Sequence, residues 1–231
     1  MPVNSKHADY DANAAAWLRA RDVLAGEDAV KAAGDRYLPK LDSQSDDEFK
    51  AYRSRASFFN AVGRTLDGYS GLIFRRAPFV KIPEAPSGGA RSALASALGQ
   101  FVNDCDMLGT SLTGYAKDLV TEIIGLGRAG TLVDWEGEFE NRAYVSLYQA
   151  EQIINWRVER VNGRSLPTLV VLSEIATTTA ADGFNNDIVP QIRVLKLVRV
   201  KAADGGDTKK ASFAYQVEIW QERASKKGDK G

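Results

Sequence analysis

The amino-acid sequence predicts an α+β fold, in which a helical amino-terminal half precedes a mostly antiparallel β meander. Apolar residues recur every three or four positions before residue 126, and β-branched and aromatic residues cluster in short runs after residue 130. The chain has 231 residues, 44% of them hydrophobic and 26% charged, so it can bury a sizeable core. We expect a helical segment over residues 1–80, an αα-hairpin with an antiparallel sheet over 90–221, and a disordered tail over 222–231.

The first two predicted helices are short, and each stops at a glycine. Asn13 is a suitable amino-terminal cap for a helix whose apolar residues recur at helical spacing, and Gly26 supplies the left-handed residue that ends it. A second helix is predicted over residues 27–33, before Gly34.

A long third helix is predicted to follow. Ser45 and Glu48 have the spacing of a capping box, in which each side chain satisfies the other residue's backbone amide. Beyond them, apolar residues continue at steps of three or four as far as residue 73, which predicts one helix of roughly 35 to 40 Å that ends before Pro78. The apolar stripe is expected to pack in the core, and its members are Phe49, Tyr52, Ala56, Phe59, Val62, Leu66, Tyr69 and Ile73.

A linker rich in proline and glycine at residues 83–89 precedes two more helices. The first is predicted from about residue 92 to 107, the second begins after Gly109 and ends at Gly125 or Gly127, and the two should pair as an αα-hairpin. Six strands are predicted at residues 131–135, 144–148, 155–161, 169–175, 191–200 and 213–221. Residues 201–212 would form an exposed hairpin loop.

The charge and the rare residues exclude several classes of protein. Lys and Arg total 30 and Asp and Glu also total 30, which argues against binding to nucleic acid or membranes through bulk charge. One cysteine and one histidine exclude an intrachain disulfide and a Cys/His zinc site. The sequence shows no signal-peptide pattern and no apolar run of membrane-spanning length, so we expect a soluble intracellular protein.

Residues 125–130 match the glycine pattern GxGxxG of dinucleotide-binding proteins. That pattern binds a pyrophosphate only where a strand leads into the glycines and a helix leaves them. Here a predicted helix precedes the glycines and a predicted strand follows. We therefore interpret Gly125 to Gly130 as a helix end and a turn, and we expect no cofactor.

Two groups of acidic residues are candidates for metal ligands or acid/base catalysts. Asp134, Glu136, Glu138 and Glu140 lack the spacing of a calcium loop and are interpreted as solvated loop acids. Asp104 and Asp106, on either side of Cys105, are interpreted as polar residues at a helix end. A Ser-His-Asp triad would need His7, which we expect in a mobile amino terminus, so no catalytic or metal-binding residue is predicted.

Five basic residues are candidates for contacts with a neighbouring subunit or with phosphate. Lys50, Arg53 and Arg64 would share a sector of about 60° on a continuous helix, and Arg75 and Arg76 lie at its end. The simplest interpretation is a solvated polar face. Salt bridges at a subunit interface come next, and direct contact with nucleic acid comes last.

Several short segments distributed along the chain form a recognisable series. They are Asp22-Val23-Leu24-Ala25-Gly26, Ala29-Val30-Lys31 with Gly34, Tyr37-Leu38-Pro39, Arg64-Thr65-Leu66 with Gly71, Phe74-Arg75 with Pro78, residues 127–134, and Tyr148 with residues 150–157. Taken in order, these segments resemble the amino-terminal half of the portal proteins of tailed bacteriophages, particularly a portal-like family common in prophages. The resemblance extends over about residues 17–220, and no single motif carries it. Where the family often has Arg-Pro-Tyr, this chain has Arg142-Ala143-Tyr144.

The resemblance implies a structural, non-enzymatic subunit of a homo-oligomeric ring, usually of twelve copies, at one vertex of the capsid. DNA would be packaged and ejected through this head-to-tail connector. The implied partners are further copies of the chain, the major capsid protein, the terminase, a tail adaptor and the phage DNA, without a membrane. The protein would be made in the bacterial cytoplasm and reside at the portal vertex of the virion. Family members continue into stem helices, clip, tunnel loop and crown, so this chain would correspond to the wing.

Two alternatives remain at this point. The chain could be a non-enzymatic adaptor or scaffold module, which would bind a partner without forming rings. Less favoured is a nucleotide-binding enzyme that uses Gly125 to Gly130.

Overall fold

A computed structural model describes residues 2–81, 89–179, 183–200 and 212–221. In these residues helices come first and antiparallel strands follow, which confirms the predicted α+β class. The chain divides into two compact units, one of Met1–Ala14 with Glu151–Gly231, which we call the sheet unit, and one of Ala15–Ala150, which we call the helical unit. The α-helices are α1 (Ala8–Ala25), α2 (Glu27–Ala32), α3 (Asp46–Arg55), α4 (Ala61–Ile73), α5 (Gly89–Asn103) and α6 (Leu112–Leu126). The strands are β1 (Ala129–Glu136), β2 (Arg142–Gln149), β3 (Ile153–Val161), β4 (Arg164–Thr179), β5 (Asn186–Val200) and β6 (Ser212–Gln221).

Helix α1 begins at Ala8, so the predicted cap at Asn13 is wrong. Asn13 lies inside the helix, where its side-chain amide donates to the carbonyl of Asp9 at 2.7 Å. The helix begins early because His7 is held in place: its backbone amide donates to the carbonyl of Ile154 at 2.9 Å. Its Nδ1 accepts a hydrogen bond from the amide of Asp9 at 3.1 Å, which satisfies one of the free amides of the first turn. His7 therefore does not lie in a mobile terminus as we expected.

The short second helix is confirmed to within one residue. Gly26 has a φ of 96° and separates α1 from α2, while Gly34 has a φ of 56° just after α2. Side chains other than glycine rarely adopt these angles, so the two glycines determine where the helices end.

The predicted long helix is wrong, because α3 and α4 are separate helices. The capping box of Ser45 and Glu48 is confirmed at the start of α3. The backbone leaves the helical region at Ala56, whose ψ is 137°. Asn60 then caps α4, with its side-chain oxygen accepting from the amide of Gly63 at 2.8 Å. Helix α4 ends at Ile73, five residues before the proline expected to stop it.

Helices α5 and α6 pack with the β1–β2 hairpin around Cys105, Tyr115 and Val145. Partly buried apolar residues of α5 and α6, among them Phe101 and Leu119, complete this core. Helix α5 ends at Asn103, earlier than predicted. The linker expected at 83–89, and with it the predicted domain boundary, falls largely on residues 82–88, which lie outside the described residues.

All six predicted strands are confirmed, each with longer bounds than predicted. Strands β1 and β2 form a two-stranded antiparallel sheet, and β3 to β6 form a four-stranded antiparallel meander in chain order. Asn162 and Gly163, at φ 50° and 79°, form the tight turn between β3 and β4. The neighbours Val171 and Leu172 point to opposite faces of β4, and both are buried. The predicted hairpin loop and tail at 201–211 and 222–231 lie outside the described residues.

Candidate functional site

The five basic candidate residues do not form one strip. Lys50 and Arg53 lie on α3 and Arg64 lies on α4, so the break at Ala56 removes the shared helical face on which the prediction rested. Arg53 is half-buried, and its guanidinium lies near Gly34: a Cβ on that glycine would be 3.3 Å from Nη1. Arg75 and Arg76 follow α4 and are exposed.

Helix α4 carries large apolar side chains on its outer surface. Its inner side is formed by Leu66 and Ser70, and the Ser70 hydroxyl lies 3.4 Å from that of Thr121 on α6. Most of the stripe predicted as core is instead exposed, which corrects the prediction for every member on this helix except Leu66. Of the predicted stripe, Val62, Tyr69 and Ile73 on α4 are 54%, 55% and 53% exposed, and Phe59 just before the helix is 69% exposed. Leu72, which is on α4 but outside the predicted stripe, is 68% exposed.

A cavity of about 420 Å³ lies beside the start of α4, and we call it the α4 groove. Its apolar lining comes from two phenylalanines before the helix and from two leucines. The guanidinium of Arg64 lies 4.7 Å from the ring centroid of Phe59, which is the geometry of a cation–π contact. The groove is lined by Leu24, Phe58, Phe59, Asn60, Gly63, Arg64, Leu66 and Asp67.

Residues 137–141 connect β1 to β2, and we call them the hairpin tip. The carboxylate of Glu136 accepts backbone hydrogen bonds from residues 138, 139, 140 and 141, at 2.6 to 3.1 Å. The amides of Phe139 and Glu140 contribute most to lowering the pKa of Glu136, which falls to about 2. Phe139 projects from this tied loop and is 86% exposed. Glu138 and Glu140 are exposed residues of this loop, as expected for solvated loop acids. Asp134 and Glu136 instead lie on β1 and are half-buried, which corrects the interpretation for these two residues.

Arg142 joins the hairpin to the loop before α6. Its guanidinium donates to the carboxylate of Glu140 at 2.5 Å, and to the carbonyl and the carboxylate of Asp104 at 2.6 Å each. These hydrogen bonds, that to Glu140 first, raise the pKa of Arg142 and keep it charged although the residue is 8% exposed. The base of the hairpin tip is thereby tied to the amino-terminal side of α6.

Cys105 and Asp106 have structural roles in the same loop. Burial raises the pKa of the Cys105 thiol, and the carboxylate of Asp106 raises it further. Burial also acts to raise the pKa of Asp106, but hydrogen bonds from Thr110 and Leu108 outweigh it and leave that pKa lowered. Within the described ranges no three His, Cys, Asp or Glu residues are grouped as metal ligands would be.

The glycine pattern at 125–130 has the predicted helix-then-strand order. Gly127 ends α6 with a φ of 79°, and β1 begins at Ala129. A Cβ on Gly125 would lie 3.1 Å from the Leu24 side chain and 3.6 Å from that of Leu66, so this glycine allows close packing. The helix end that faces the glycines is its carboxyl end, which carries the negative end of the helix dipole.

The sheet unit holds a second, open depression of about 520 Å³ near the amino terminus. His7 stacks on Trp156 there, with ring centroids 4.1 Å apart, and Asp9, Asn155, Arg157 and Val158 complete the lining. The stacked rings secure the amino-terminal segment against β3.

The sequence interpretation missed both the α4 groove and the exposed Phe139. Asn60 three residues before Gly63 is a possible capping signal, and a phenylalanine between two glutamates in a turn is the signal for an exposed aromatic residue. No helix in the described part of the chain combines the length and apolar character needed to cross a bilayer. In comparisons with known proteins, no protein-family model matches this chain, and no curated protein matches it either.

Proposed function

We propose that this chain is a structural subunit of the portal ring of a tailed bacteriophage, through which DNA is packaged and ejected. In this role it carries no cofactor. Its partners are other copies of itself, the major capsid protein, the terminase, the tail adaptor and the DNA in the channel. It resides at the portal vertex of the virion after synthesis in the bacterial cytoplasm.

The observation that carries the proposal is the exposed apolar surface of α4. Tyr69 and Leu72 are each more than half exposed, together with Val62 and Ile73 on the same helix and Phe59 just before it. Large contiguous apolar patches are rare on monomeric proteins and mark sites of contact with other proteins. A subunit with many permanent neighbours is therefore favoured over a solitary enzyme.

The resemblance adds the identity of the assembly to this argument. Its segments occur on α1 and α2, at both ends of α4, and from the end of α6 through β3. They include the left-handed Gly26 and Gly127, whose conformations determine where α1 and α6 end. Residues in these positions support the framework of a fold and not a catalytic centre.

Immunogold electron microscopy of phage particles from cells that produce this protein tests the proposal. Antibodies against the recombinant chain should place gold at one vertex of each head, including heads that have not yet received DNA. Early presence is required because the genome enters through the portal. Antibodies absorbed with the recombinant chain are the control.

Other labelling patterns contradict the proposal. Gold only on filled, tailed particles would indicate an adaptor that joins after packaging. Gold over the whole head or along the tail, or none on any particle, would exclude the portal function.

A further inference from the structure

The hairpin tip presents an aromatic side chain between two acids on a loop that is already ordered. Phe139 is 86% exposed, and Glu138 and Glu140 flank it. The four amide hydrogen bonds to Glu136 hold the loop in one conformation before any partner binds. A preordered loop loses little conformational entropy on binding, so it is suited to insertion into a partner.

The α4 groove presents the complementary surface. Phe58, Phe59 and Leu66 supply an apolar lining, and the cation of Arg64 lies over one of these rings. Asp67 also lines the groove, so the acids of an inserted tip are attracted to the Arg64 side.

The groove and the tip lie at opposite ends of α6. Gly125, near the carboxyl end of α6, packs beside Leu24 and Leu66 of the groove. The tip is tied through Arg142 to Asp104, in the loop that leads to the amino end of α6. Helix α6 has 15 residues and is therefore about 22 Å long. This separation, with the high exposure of Phe139, leaves a subunit's own groove unfilled by its own tip.

We propose that the tip of one subunit inserts Phe139 into the α4 groove of a second copy, with Glu138 facing Arg64. The occupant is a second copy because the two complementary surfaces belong to the same chain and differ from each other. Contacts between two different surfaces join subunits head to tail and form a ring when the rotation between them closes. The inference rests on the proposed function only in that a portal requires such a ring.

Charge exchange between the two surfaces tests the contact by sedimentation equilibrium at about 0.3 mM, where contacts with a Kd near 0.1 mM are populated. Arg64→Glu alone and Glu138→Lys alone should each lower the association constant about tenfold, since each places like charges in contact. An equal mixture should recover association to within about twofold of the unaltered chain, because each tip then meets a groove of opposite charge. Circular dichroism verifies that both variants fold.

Phe139→Ala should lower the association constant about tenfold, since the buried anchor is lost. The matched control is Phe184→Ala, a phenylalanine of the sheet unit that is 95% exposed and should leave association unchanged. A strictly monomeric unaltered chain at 0.3 mM, or a mixture that does not recover, would overturn the proposed contact.

The two proposals can fail separately. If the mixture of charge variants recovers association but the immunogold label lies away from the vertex, the subunit contact is supported and the portal function is rejected. If the immunogold label lies at the vertex but the mixture of charge variants does not recover association, the portal function is supported and the subunits must contact each other through other residues.

Discussion

Glu136 shows how one side chain can order a whole loop. Its two oxygens accept hydrogen bonds from four consecutive residues of the hairpin tip, so each bond depends on the carboxylate being charged. The pKa of Glu136 is lowered to about 2 from an ordinary value of 4.5. A lowered pKa means that the folded loop binds a proton less readily than the unfolded loop.

The order of the tip should therefore depend on pH in a defined range. The stabilisation by Glu136 is complete above the ordinary pKa of 4.5 and is lost as the pH falls through about 2. Amide chemical shifts of residues 138–141, followed by NMR, should stay constant from pH 7 to about pH 3 and then move together as the pH falls through about 2. Glu136→Gln should show the low-pH shifts at pH 7, and Glu138→Gln is the matched control. Independent movement of the four amides would contradict a single controlling carboxylate.

Cys105 is predicted to be inert while the helical unit is folded. Its side chain is fully buried at 0% exposure, and burial raises the pKa of its thiol, so little reactive thiolate is present. Modification by a thiol reagent should be at least about a hundredfold slower in native buffer than in guanidinium chloride. Because this is the one cysteine of the chain, absorbance of the released reagent group measures it directly. Comparable rates in both solvents would show that the core around Tyr115 opens readily.

At the scale of elements, the separation of α3 from α4 determines the surface of the helical unit. A continuous helix would have placed Phe59 on the same stripe as Phe49 and Leu66. The extended turn at Ala56 and the cap at Asn60 reset the phase, and the ring of Phe59 faces solvent beneath Arg64. The exposed face of α4 follows from this break.

Phe59→Ala should therefore cost little stability in the isolated chain. The side chain is 69% exposed, so the change loses less than about 1 kcal/mol, chiefly its contact with Arg64. Leu66→Ala, on the inner side of α4, is the comparison and should cost about 2 kcal/mol. Thermal unfolding measured by circular dichroism checks both. A larger loss of stability for Phe59→Ala than for Leu66→Ala would show that the Phe59 ring is buried in the core.

The elements that the sequence predicted well are those whose signals are local. The capping box at Ser45 and the glycines at 26, 34 and 127 require particular backbone conformations of their own residues, and all four mark helix ends. The strands were found because β-branched runs alternate with turn residues. The start of α1 was missed because it depends on Ile154, which lies far along the sequence from His7.

The candidate site was less accessible to sequence analysis for a related reason. Spacings of three and four residues continue across Ala56 to Asn60, so periodicity alone cannot distinguish one helix from two. The α4 groove forms only when Leu24, Phe58 and Leu66 come together from separate elements. The sequence identified single residues such as Arg64 as candidates, but it could not show that they line one groove together.

Over the whole molecule, the total charge is balanced, but the charged residues are unevenly distributed. The 30 basic and 30 acidic residues cancel, yet acids crowd the hairpin tip and arginines lie beside and beyond α4. Local attraction of this kind acts over short distances and orients partners more than it holds them. One inserted aromatic ring is also a small contact, below the roughly 1,000 Å² that stable interfaces bury.

The isolated chain should thus be mainly monomeric at about 10 μM, and salt should weaken its association at higher concentration. The screening length falls from about 10 Å at 0.1 M salt to about 3 Å at 1 M. Sedimentation in 0.05 M and 0.5 M NaCl measures the effect. The Arg64→Glu chain, in which repulsion replaces the attraction, is the control, and its weaker association should not fall further as salt is added. Association that strengthens with salt would indicate a purely apolar contact. A compact dimer at 10 μM would indicate a two-fold symmetric contact instead of a head-to-tail one.

The placement of the groove and the tip at opposite ends of α6 also gives any assembly a direction. Every open intermediate has an unfilled groove at one terminus and an unused Phe139 at the other, and only closure removes both. A chain that is altered only in its groove can still bind an oligomer through its tip, but its own groove then binds the tip of the next subunit poorly. Small amounts of an Arg64→Glu chain would consequently act as a terminator, shortening oligomers in proportion to its share of the mixture.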